Sequence, residues 1–250
     1  MVTFAARMIR GFFLLFLFFV LAPTFLFLTK WYYIHLVSKK TYVGVITIPN
    51  YIEKSDEVVN SAKTLFSSGE IKGIIIKCNG VGGNIGSCEA IHEDLLRLKA
   101  LYKKPLIAYC EKECFGGAYV IATAADIIVA TEGCVIGNIN QHFETQPSSE
   151  NSSSLKQDLK RQYKDIILKC RTKVTSLFFS EIENNVIAGK NGFNHGLVDS
   201  LGGNLEVERL MRLKTVIEGS MEEVQGSLAT HFVTSVLDIV NKLIRGIKLN

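Results

Sequence analysis

The sequence lacks a charge excess, a metal-ligand spacing, and a nucleophile where one would be sought. Across 250 residues the formal net charge is only +4, and no segment interleaves a basic stripe with aromatics. Nucleic-acid binding is thereby excluded as a function class. Cys110 and Cys114 have three residues between them, but neither a second close cysteine pair nor a histidine at matching spacing accompanies them. No zinc site, and no other metal, is expected. The six cysteines, Cys78, Cys88, Cys110, Cys114, Cys134 and Cys170, are scattered over apolar segments and read as buried small hydrophobes. Pairing stays open if the domain lies in an oxidising compartment. No carboxylate pair or Ser/His/Asp set has a usable spacing, no internal repeat appears, and no cofactor is expected.

What the chain has in quantity is apolar sequence, 48% of it. Gly11 to Leu28 reads GFFLLFLFFVLAPTFLFL without a charge, long enough at helical rise to cross most of a hydrocarbon core of about 30 Å. Trp31, Tyr32 and Tyr33 suit the headgroup layer, and Arg7 with Arg10 ahead of the run favours a cytoplasmic N-terminus. No small-x-small cleavage site follows, so the run is expected to be an uncleaved single-pass anchor that puts the rest of the chain on the extracytoplasmic side.

Beyond it, strand and helix patterns alternate. "YVGVITIP" from Tyr42, "IKGIIIKC" and "KPLIAYC" read as buried strands, and "IIVATEGCVIG" as a short strand followed by a turn. Ser55 to Phe66 has helical apolar spacing. "SCEAIHEDLLRLKAL" is a second helix, with Ser87 as its cap and His92 on the wet side, and "GGAYVIATAAD" is a third, rich in small residues. This order predicts an α/β domain built on a mainly parallel sheet. "QPSSENSSS" from Gln146 reads as a polar loop. Leu155 to Phe179 reads as one long helix whose charges face water, and Thr230 to Ile247 as a last amphipathic helix. His195 is assigned to a turn, His142 to a loop, and Thr123 to packing. The expected division is an anchor over 1–40, a principal domain over 41–210 and a helical extension over 211–250.

Ligands of such sheets gather beyond the carboxyl ends of the strands. Three glycine-bearing loops fall there: "NGVGGN" after the second strand, "CFGG" after the third and "IGNIN" after the fourth.

The blocks "IKGIIIKCNGVGGNIGSCEAI", "KKPLIAYCEKECFGGAYVIATAADIIVATEGCVIGNIN" and "NGFNHGLVDSLGG" occur in one order. Over residues 42–205 the chain resembles the short, single-copy form of the signal peptide peptidase SppA family, membrane-anchored serine peptidases of the ClpP/crotonase superfamily. The resemblance implies stacked ββα units, a homo-oligomeric ring, and a Ser/Lys dyad that cleaves leftover signal peptides beside an oxyanion hole of backbone amides.

Residue by residue, the resemblance puts the oxyanion and peptide-binding backbone at Gly82, Gly83 and Gly117. The nucleophile position falls on Gly116, or on Phe115 if one residue is inserted. Lys164, in a Tyr-Lys-Asp triplet, is the residue to test as base, and Cys114 is the nearest thiol. The chain is therefore expected to be an SppA-like homologue, catalytically silent or strongly divergent, that binds peptides or assembles with partner subunits. The alternatives are an active peptidase with an unconventional nucleophile or a partner-completed dyad, and an acyl-CoA enzyme of the crotonase type.

Overall fold

The computed structural model describes residue 16 and residues 18–30, 41–140, 152–215 and 221–225. Contacts divide the chain into two units, one comprising 1–41 with 218–221 and the other the remainder. In the first, residues 18–30 are helical (α1) with most side chains exposed. Among the described residues no helix is long and apolar enough to cross a membrane. The anchor expected over 11–28 falls partly outside them, as do His142, most of the serine-rich loop and the helix expected over 230–247.

The second unit is built on runs of β-branched residues. Thr41–Ile48 (β1), Ile71–Cys78 (β3), Leu106–Cys110 (β5) and Ile127–Ala130 (β7) pair in parallel as neighbours. With Ser200–Leu201 (β10) and Met221–Gln225 (β11) they form a six-stranded sheet in the order β10-β7-β5-β3-β1-β11. Side chains alternate in direction along a strand, so a sheet covered on both faces needs apolar residues at nearly every position. In β5 all five residues are buried.

The covering helices include Asp56–Ser67 (α2), Ile85–Tyr102 (α3) and Gly116–Ala122 (α4). Asn84, not Ser87, caps α3: its side-chain oxygen accepts from the Ser87 amide at 3.2 Å, three residues on, where a capping side chain must reach. Lys99 near the end of α3 donates to the Ala124 carbonyl at 2.7 Å and pairs with Asp126 at 3.0 Å. That ties α3 to the turn after α4. Two small sheets lie at the carboxyl ends of the main strands. Tyr51–Ile52 (β2) pairs with Gly82–Gly83 (β4), and Glu113–Phe115 (β6) is followed in order by Val135–Gly137 (β8) and Val186–Ala188 (β9).

The long helix expected over 155–179 is two helices, Ser152–Cys170 (α5) and Ser176–Ile182 (α6). The break at Arg171 has an electrostatic reason. Rather than facing water, Arg171 is 8% exposed and leaves α5 to reach Asp199, which it grips at 2.8 and 2.7 Å while also donating to the Gly196 carbonyl at 3.1 and 2.8 Å. Asp199 in turn accepts from the Ile128 amide of β7 at 2.8 Å. Gly189–Asn194 (α7) follows, and the chain then leads through β10 to Asn204–Thr215 (α8).

Removing one partner of a buried pair strands the other charge. Arg171→Met is expected to cost about 3 kcal/mol, read as a lower urea midpoint at unchanged slope. Asp199→Asn, which keeps an acceptor for Ile128, is expected to cost less.

Candidate functional site

Three loops meet at the carboxyl ends of the sheet, each held by main-chain bonds. After β3, Gly80 lies opposite Cys114. Its amide donates to Glu113 and its carbonyl accepts from Phe115, both at 3.0 Å. The Asn79 side-chain oxygen accepts from the amides of Glu111 and Lys112 at 2.9 and 3.1 Å, fastening the same two loops again. Phe115 then lies opposite Gly137, which brings in the loop after β8. The three glycine-bearing loops expected from the sequence do converge.

The geometry at the centre requires glycine. Gly82 has φ +93°, and a Cβ there would stand 2.6 Å from the Gly117 nitrogen and 2.9 Å from its Cα. Gly116, which opens α4, has φ +45°. Both lie in the left-handed region that side chains disfavour. Asn84 donates its amide to Ile52 of β2 at 2.7 Å. The Val81 amide likewise donates to the Asn50 carbonyl, at 3.0 Å, and among the described residues β4 pairs with β2 alone.

Gly116, where the resemblance places the nucleophile, has no side chain. The space above Gly117 is filled from other helices. A Cβ on Gly117 would meet the Sγ of Cys88 (α3) and lie 3.4 Å from the hydroxyl of Tyr163 (α5). That hydroxyl donates to the Ile85 carbonyl at 3.3 Å. Burial pushes the Cys88 thiol up to about 12, against a smaller lowering by its hydrogen bond to Tyr163. Burial also raises the Tyr163 hydroxyl. Both stay protonated near neutrality, so this pair supplies neither a thiolate nor a base.

The other candidates lie elsewhere. Cys114 is fully buried, and burial followed by contacts with Cys110 and Cys78 raises its thiol well above the ordinary range. Lys164 follows Tyr163 on α5, one residue and so about 100° round the helix. Its ammonium sits over the Phe179 ring, 5.7 Å from the centroid. Thr123 is buried and donates to the Val120 carbonyl at 2.6 Å, the packing role expected of it. Among the described residues no group of three or more His, Cys, Asp or Glu side chains is arranged to hold a metal, and the six cysteines are free thiols, five of them buried.

Two histidines differ in setting. His195 stacks on Phe178 with ring centroids 3.8 Å apart. His92, expected on the wet side of α3, is instead 4% exposed because α5 covers that face. The sequence reading passed over Cys88 and Tyr163 as site residues. A thiol and a tyrosine on apolar stripes carry no local mark; only the pairing of α3 with α5 brings them to Gly117.

No protein-family model matches the chain. Over 86 residues it is 30% identical to a Methanocaldococcus jannaschii protein named "Putative protease MJ0651"; the match covers 34% of this chain and 27% of that protein. The chain thus spans about a quarter of the length of that curated relative. Among solved structures, a serine-to-alanine mutant of the 1510-N membrane-bound stomatin-specific protease aligns at TM-score 0.55 and 12% identity, covering 74% of this chain and 98% of that one. A lysine-to-alanine mutant of the same protease, in complex with a substrate peptide, aligns at TM-score 0.54 and 13% identity, covering 79% and 97%. Methylmalonyl CoA decarboxylase complexed with 2S-carboxypropyl CoA aligns at 0.52 and 13%, covering 69% and 71%. The fold is of the ClpP/crotonase type. It is shared with peptidases and with an acyl-CoA enzyme alike, so chemistry has to be argued from the site.

His92 gives a pH prediction. Burial first, then Lys99 and Lys169, lower its imidazole from 6.5 to about 4. Between those values the unfolded chain binds the proton more readily, so this residue's contribution to stability is present above about pH 7 and is lost as pH falls. From pH 8 to pH 5 that loss is expected to be about 2 kcal/mol. Urea midpoints across the range check it, and His92→Gln should flatten the slope by that amount.

Proposed function

We propose that the chain is a divergent SppA-like protein that binds extended peptides without cleaving them. The observation that carries this reading is the make-up of the site. The position that the resemblance assigns to the serine is Gly116, which opens α4, and the side chains nearest the adjoining Gly117 are a protonated thiol and a phenol. The surrounding backbone is nonetheless kept in order, with Gly82 packed against Gly117 and β4 left with one edge that pairs with no strand among the described residues. Such an edge takes a peptide by strand addition, main-chain bonds giving the affinity. Anchoring by the apolar run before Leu28, an extracytoplasmic location for the domain and assembly into a homo-oligomeric ring complete the proposal.

Full-length chain in detergent, titrated with fluorescently labelled apolar peptides, is expected to give saturable anisotropy changes with no cleavage products by mass spectrometry. Hydrolysis that survives purification and is abolished by Cys88→Ala or Cys114→Ala would establish an unconventional nucleophile and overturn the reading. Thermal stabilisation by acyl-CoA without any peptide binding would favour the acyl-CoA class instead.

Gly116→Ser is expected to leave peptide hydrolysis undetectable, because no base accompanies the new hydroxyl. It should lower stability by about 1 kcal/mol for placing a side chain at positive φ, checked by urea unfolding. Turnover by this single variant would show that a base is already in place.

A further inference from the structure

Away from the glycine loops, α3 and α5 enclose a cavity of 260 Å³ whose walls include Glu89, His92 and Glu93 from one helix and Ile166, Lys169 and Cys170 from the other. Its chemistry centres on His92. The Nε2 of this imidazole lies 3.8 Å from the Cys170 Sγ. Among the described residues its Nδ1 is the one buried side-chain nitrogen or oxygen without a hydrogen-bond partner.

The charged groups around the ring come from both helices. Glu89, Glu93 and Lys99 share α3 with it, Glu93 being paired with Arg97 and Lys99 with Asp126; Lys169 faces it from α5. Burial and the two lysines keep the ring neutral. A neutral imidazole has one N–H and one lone pair. With the lone pair on Nε2 it accepts the thiol proton of Cys170, and the proton on Nδ1 is left without an acceptor. An unpaired buried donor is costly, and the remedy is an acceptor atom delivered into the cavity.

The cysteines differ correspondingly. Cys78, Cys88, Cys110, Cys114 and Cys134 are buried, whereas Cys170 is partly exposed at the cavity wall.

We propose that Cys170 and His92 form a thiol–imidazole pair at which small disulfides bearing carbonyl or carboxylate oxygens exchange with the chain, making Cys170 its redox-responsive residue. The S–H bond of Cys170 breaks, with its proton passing to His92 Nε2. The sulfur attacks one sulfur of the disulfide, forming a mixed disulfide, and the other sulfur leaves as a thiolate that takes the proton back from the imidazolium. One thiol is consumed and one released, and the incoming disulfide is the oxidant. The oxygen of the incoming group accepts from Nδ1.

The test uses folded full-length chain in detergent with glutathione disulfide as the probe, read by intact mass and peptide mapping. One adduct is expected, on Cys170. It should be absent in Cys170→Ser and should form about tenfold more slowly in His92→Gln. Between pH 6 and pH 8 the wild-type rate is expected to rise by less than about tenfold, against about a hundredfold for an unassisted thiol; this measurement needs no variant to fold. Adducts spread over several cysteines, an adduct confined to another cysteine, or a hundredfold rise with pH would overturn the proposal.

Discussion

The organisation of the site depends on two backbones lying against each other. The loop after β3 and the first turn of α4 meet at Gly82 and Gly117, so closely that a methyl group on Gly82 would collide with the Gly117 backbone, while one on Gly117 would collide with the Cys88 side chain. Everything else there follows from that contact. Gly80 and Asn79 have to fasten the first loop to β6, Gly116 has to start the helix at positive φ, and any chemical group has to come from outside the two glycine segments. Cys88 and Tyr163 occupy that outside space, and their burial sets their protonation. The scaffold is thus maintained by sterics that make no demand on catalysis.

A second constraint operates at the far side of α4 and α5. Arg171 and Asp199 join the end of a helix, the Gly196 turn and strand β7 through five hydrogen bonds to charged groups. The Tyr119 hydroxyl of α4 donates to the Leu197 carbonyl at 2.8 Å in the same region. The short helix carrying the glycine pair is therefore held at its start by a close approach and at its middle by the Tyr119 hydroxyl. That explains how a seven-residue helix, too short to persist alone, can position a loop.

Much of the fold was legible in the sequence because the signals were local. β-Branched runs located β1, β3, β5 and β7, and alternation with amphipathic segments specified parallel pairing. The convergence of three glycine loops was legible too, since it follows from strand direction. What escaped was whatever depends on pairing between distant elements. His92 carries a polar label but lies beneath α5. Arg171 looked like one more solvated charge on a long helix until its partner, 28 residues on, made it a helix terminator. Cys88 and Tyr163 looked like core, and they are core; that they lie over Gly117 is information held by the α3–α5 contact alone.

The Asn79 clamp has a consequence of its own. Its side-chain oxygen holds two amides of the neighbouring loop without carrying a proton that could be gained or lost. A carboxylate in that place would loosen its grip under acid conditions. An uncharged amide does not, so the seam between the two loops is indifferent to the acidity of whatever compartment surrounds it.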